Sequence, residues 1–141
     1  MVLALVALAG LMLSSYLTLF KLGYIGHLAC SIGSCERVQT SRWSVLFGIP
    51  VAAWGAGFYL AVLAIAVTGT QPKFAASSGI SWLLLALTAW GVLFSAYLTA
   101  LELFVIHAIC EYCVTSAVLV TGMCAIAALD VMATRREFAT G

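Results

Sequence analysis

Apolar positions in this chain come in long uninterrupted runs rather than in the period-2 or period-3.6 stripes of a soluble domain. Residues 2–20, 43–72 and 74–101 carry no charged side chain, and each run reaches the about 20 residues that a helix needs to cross a bilayer. A fourth run, residues 114–129, reaches that length when its helix starts near Cys110 and continues to about Met132. The Ile49-Pro50 step suits the entry to the second helix, where a missing backbone donor costs nothing, and Thr68-Gly69-Thr70-Gln71-Pro72 suits its end. These signals predict transmembrane helices over residues 2–20, 50–68, 80–106 and 110–132, with a long loop over 21–49. The fold class expected is an all-α integral membrane protein. Residues 1–141 would form one four-transmembrane-helix bundle with a partly helical, extracytoplasmic cysteine loop.

Composition strengthens that picture. Of 141 residues 65% are hydrophobic and 8% charged, against about a quarter charged in soluble domains, and the mean hydropathy is +1.17. A net charge of +1 offers no basic stripe for neutralising phosphates, which excludes nucleic acid as a main partner. The first run lacks a basic leader and is long for a signal-peptide core, so it reads as a helix of the bundle. Basic residues divide evenly between the two faces, with Lys21, Arg37 and Arg42 on the long-loop side and Lys73, Arg135 and Arg136 on the other. The latter three lie closer to the helix ends, which favours cytoplasmic termini.

The cysteines carry the chemistry. Two helices separate the long loop from the turn around residues 107–113, so Cys30, Cys35, Cys110 and Cys113 fall on one membrane face in two close pairs, while Cys124 lies inside the fourth helix as a small apolar residue. Cys110-Glu-Tyr-Cys113 is a C-x-x-C at a helix start, where free backbone N–H groups and the helix dipole favour a thiolate. The loop pair closes a small ring, and Gly23, Gly26 and Gly33 make its segment flexible. A mobile pair facing a fixed one is suited to dithiol–disulfide exchange, and stable disulfides place this face outside the cytosol.

Two stretches resemble the vitamin K epoxide reductase (VKOR) family, in its bacterial disulfide-forming branch. The first is Cys35 followed by Ser41, Trp43 and Gly48-Ile49-Pro50. The second runs from Tyr97 through Glu102 and His107 to Cys110-Glu-Tyr-Cys113. The resemblance implies a quinone-linked oxidoreductase of the bacterial cytoplasmic membrane. Cys30 and Cys35 would oxidise a thioredoxin-fold (DsbA-like) exported protein, Cys35 would pass electrons to Cys110, and Cys113 would pass them to menaquinone or ubiquinone. Ser41, Trp43, Phe47, Trp54, Glu102 and His107 are the expected quinone contacts. Ala117 stands where vertebrate members carry a Tyr that holds the vitamin, which argues against vitamin K epoxide as substrate, and the partner is expected to be a separate chain.

On a continuous helix Glu102 would lie roughly 12 Å below Cys110, an intramembrane carboxylate suited to proton supply to the reduced quinone, to a hydrogen bond with Tyr97 or to a structural bond to another helix. His27 and His107 are candidates for thiolate stabilisation. The competing class is a metal-binding or transport protein using the four cysteines and two histidines as soft ligands, although no metal is expected at the site.

Overall fold

The computed structural model describes residues 1–31, 33–75 and 77–141, so Ile32 in the cysteine ring and Ala76 ahead of the third span lie outside the described residues. Helix α1 covers Val2–Lys21, the short α2 covers Cys35–Thr40, and a 3-10 turn follows at Arg42–Ser44. A two-stranded antiparallel hairpin pairs β1 (Val45–Leu46) with β2 (Ile49–Pro50) and leads directly into α3 (Val51–Gly69). Helix α4 covers Ser78–Leu101, continues as a π-helical turn over Glu102–Ile106, and is followed by α5 (Glu111–Thr140). Among the described residues four helices are long and apolar enough to cross a membrane. The protein is an all-α membrane bundle.

Two differences from the expected boundaries have clear causes. The last helix runs on to Thr140, past Met132, because residues 133–140 contain neither Gly nor Pro, while Arg135 finds a partner in the Trp82 ring, 4.9 Å from its centroid. Residues 45–50, expected as loop and helix entry, form the hairpin instead, with Pro50 as the N-cap of α3. Phe47 and Gly48 make its turn with φ of 53° and 77°, the paired positive values that match the twist of a two-residue hairpin.

Small residues let the helices approach closely, as packing in lipid requires. Ala4, Ala7, Gly10, Ser14 and Leu17 form the buried stripe of α1, and Gly10 accepts the ring of Tyr59 directly against its backbone. At Gly91 a Cβ would come within 2.6 Å of Phe58 and 2.7 Å of Val120. The Tyr59 hydroxyl is satisfied by Ser116, at 2.7 Å from its Oγ and 3.1 Å from its carbonyl, which ties α3 to α5. Gly57, by contrast, has no side chain pressing on it. One core cluster groups Ala7, Tyr59, Val62, Val120 and Met123, and a second, at the cysteine end, groups Leu17, Leu28, Cys35, Val38, Ala108 and Cys110.

Candidate functional site

The cysteine end is built by a chain reversal. Helix α4 loosens into its π turn at Glu102, and His107 then adopts a left-handed conformation with φ of 54°, a region that His tolerates better than β-branched residues. The reversal returns the chain over its own helix end, so that the Ala108 N–H donates to the Glu102 carbonyl at 3.1 Å and the Cys110 N–H to Glu102 Oε2 at 3.2 Å. Glu102 is therefore beside Cys110, and not about two helical turns below it. The continuous-helix estimate fails because the helix ends between the two residues. With 3% of its surface exposed, the Glu102 carboxyl group sits at the start of α5, where it accepts a backbone N–H that the helix itself leaves unpaired.

Cys110 is the N-cap of α5 and Cys113 lies in its first turn. Both are reduced, and the Cys113 thiol is within hydrogen-bonding reach of the Cys110 sulfur and of Glu102. The bond from Cys113 lowers the Cys110 thiol to about 7, helped by the backbone N–H groups of Cys113 and Tyr112 and opposed by burial and the Glu102 charge. Gln39, buried on α2, points its Nε2 at the Cys113 sulfur at 3.9 Å.

Cys30 and Cys35 are joined by a disulfide with their Cα atoms 6.2 Å apart. Cys35 is buried in the cluster that also holds Cys110, with Cys30 packed against it. An isolated bridge pairs Gly33 with Cys110, and the Ser34 N–H donates to the Ile109 carbonyl at 2.8 Å. The two pairs therefore share one end of the bundle and are strapped together. The glycine-rich segment expected to be mobile is held at Leu28 and His27 by Glu36 Oε1, at 3.3 Å to each, in addition to these backbone bonds.

Below the cysteines lies a cavity of about 710 Å³ between the helices and the α2–hairpin lid. Ser41, Trp43, Phe47, Trp54, Glu102 and Cys113 all line it, whereas His107 does not. Ser41 donates to the Val38 carbonyl at 2.7 Å, so its proton is engaged in this state. Trp54 donates to the Leu46 carbonyl at 3.3 Å, tying α3 to the hairpin, and Trp43 lies under the Arg42 guanidinium, 5.0 Å from its centroid. Phe47, 88% exposed, is the hairpin tip. Tyr97 is exposed and lies beside Phe94, 6.5 Å between ring centroids.

The sequence model of the vitamin K epoxide reductase family matches residues 1–128. The chain belongs to that family. Membership makes this VKOR-family protein a membrane oxidoreductase of dithiol–disulfide chemistry, in a family that generally uses a quinone as electron partner. The cavity fits such a group: its walls are chiefly apolar, including Leu13, Phe58, Trp90 and Phe94, with Gln39, Ser44 and Ser116 among its few polar side chains and Cys113 on one wall.

Sequence reasoning missed the supports of this VKOR site. Lys21 at the end of α1 donates to the Gln39 carbonyl at 2.8 Å and to Ser44 Oγ at 2.7 Å, pinning the lid. Gln39 itself carried a legible signal, since it lies four residues after Cys35 on the same helix face. Among the described residues, the group of possible ligand atoms that comes together includes neither His27 nor His107. The ligand atoms that come within 4.8 Å of one another are those of Cys30, Cys35 and Glu111, and the two sulfurs are bonded to each other in this state.

Proposed function

We propose that this VKOR-family protein reoxidises a separate thioredoxin-fold (DsbA-like) exported protein and delivers the electrons to menaquinone or ubiquinone in a bacterial cytoplasmic membrane. The termini would lie in the cytoplasm and the cysteine end outside. The observation that carries the reading is the strapping of a loop disulfide onto Cys110, with Cys113 on the wall of an apolar cavity.

In this scheme a thiolate of the reduced partner attacks Cys30 and releases Cys35. Cys35 attacks Cys110 of an oxidised Cys110–Cys113 pair, which forms the Cys35–Cys110 bond and frees Cys113. The partner's second thiol closes its own disulfide and frees Cys30, which attacks Cys35 and expels Cys110. A thiol titrating near 7 is a good leaving group, which favours this last step. The result is the arrangement present here, with Cys30–Cys35 bonded and Cys110 and Cys113 reduced. A quinone in the cavity supplies a two-electron, two-proton acceptor. Gln39 and Glu102 orient the Cys113 sulfur toward the cavity, and Glu102 is the group placed to take the thiol proton.

The test follows quinone absorbance in nanodiscs on addition of a reduced thioredoxin-fold protein. Wild type is expected to reduce the quinone, and Cys113→Ala and Cys30→Ala to abolish turnover, with a small permeant dithiol partly rescuing Cys30→Ala alone. A wild-type protein that leaves the quinone oxidised while binding zinc or copper tightly would overturn the reading in favour of a metal site.

A further inference from the structure

The two residues inside the C-x-x-C both reach the loop that carries Cys30. Glu111 Oε1 accepts the Ser31 N–H at 3.1 Å, and the Tyr112 hydroxyl donates to the Ala29 carbonyl. Ala29 and Ser31 are the two neighbours of Cys30, so the spacer grips the loop on both sides of that cysteine. Tyr16 of α1 completes the hold: its hydroxyl oxygen accepts the Ala29 N–H at 3.2 Å, and its ring lies against that of Tyr112 with centroids 5.7 Å apart. Beyond Cys30 the same loop bridges Cys110 through Gly33, where φ is +94° and a Cβ would strike the Ile109 carbonyl. Ala29, Ser31, Gly33 and Ser34 are thus bound along residues 109–112, while Gly23 and Gly26 upstream have nothing packed on them.

We propose that Glu111 and Tyr112 form a latch that docks the Cys30–Cys35 loop and sets how often Cys35 meets Cys110. They are positioning residues, acting through the backbone of Ala29 and Ser31. The pair that receives electrons thereby also holds the pair that delivers them. Each of these hydrogen bonds is made to a main-chain group, and the Glu111 carboxylate also lies within 4.8 Å of the Cys30 and Cys35 sulfurs. The inference rests on the relay of the preceding section, in which Cys35 attacks Cys110 and forms a transient disulfide with it.

The test uses the full chain in nanodiscs without quinone or protein partner. Cys30→Ala, Cys113→Ala and Cys124→Ala leave Cys35 and Cys110 as the remaining cysteines, and formation of their disulfide on addition of diamide is followed by a maleimide gel shift. In that background Tyr112→Phe, which keeps the ring, and Glu111→Ala are each expected to slow cross-linking about fivefold, the ratio corresponding to one net hydrogen bond. Glu111→Gln, whose amide oxygen still accepts from Ser31, is expected to stay within about twofold of the parent. Parent-like rates in both Tyr112→Phe and Glu111→Ala would overturn the latch. So would a Glu111→Gln as slow as Glu111→Ala, which would assign the effect to charge. A parent that forms no Cys35–Cys110 bond would overturn the relay and the latch together, whereas failure of quinone reduction alone would leave the latch result standing.

Discussion

Glu102 Oε2 accepts the backbone N–H of Cys110 at 3.2 Å, eight residues along the chain and across a helix break. That contact makes one carboxylate the acceptor for the N–H of the α5 N-cap residue, a neighbour of the Cys113 thiol and a wall of the cavity. Removing it leaves a buried N–H without a partner at the start of a membrane helix, which costs about 1–3 kcal/mol. Glu102→Ala is therefore expected to lower the thermal midpoint in detergent by several degrees. Glu102→Gln, which keeps an acceptor oxygen, is expected to hold its fold while slowing quinone reduction. Equal, wild-type behaviour of both variants in thermal scans and turnover would refute this role.

The Cys110 thiol is lowered to about 7 by its hydrogen bond from Cys113. In the form with the loop disulfide closed, thiolate absorbance near 240 nm is expected to rise with a midpoint near pH 7. The sign follows from the lowered value: the thiolate persists above that midpoint and is lost as pH falls through it. Cys113→Ala removes the first cause and should move the midpoint upward. An unmoved midpoint would show that Cys113 does not stabilise the thiolate.

Lys21 holds the lid by donating to the Gln39 carbonyl and Ser44 Oγ. Hydrogen bonds from a charged donor contribute about 1.5–3 kcal/mol, so Lys21→Met, which keeps the apolar stem, is expected to loosen residues 39–44. Faster hydrogen exchange in that segment, with a higher KM for quinone, is the expected result. Unchanged exchange would mean that the lid is held by its own backbone.

Gly10 and Gly57 make a matched pair for packing. Gly10→Val drives a side chain into the Tyr59 ring, and overpacking of this kind costs about 1–3 kcal/mol. Gly57→Ala meets nothing within 4 Å and is expected to be neutral, within about 0.5 kcal/mol. Thermal midpoints of the two purified variants check the contrast.

The four spans were legible along the chain because a bilayer demands uninterrupted apolar runs of one length, and charge positions mark where they stop. Parity then put both cysteine pairs at one end, since two crossings return the chain to the same face. The docking of those pairs was not legible. It depends on the π turn at Glu102 and the left-handed His107, a local departure from helix that no apolar run announces, and it moved Glu102 from a helix interior to the Cys110 backbone. The grip of Lys21 on Ser44, of Gln39 on Cys113 and of Tyr112 on Ala29 joins residues 23 to 83 positions apart. Such contacts come from how the lid settles on the bundle, because side-chain hydrogen bonds depend on tertiary proximity, whereas hydropathy and spacing act along the chain.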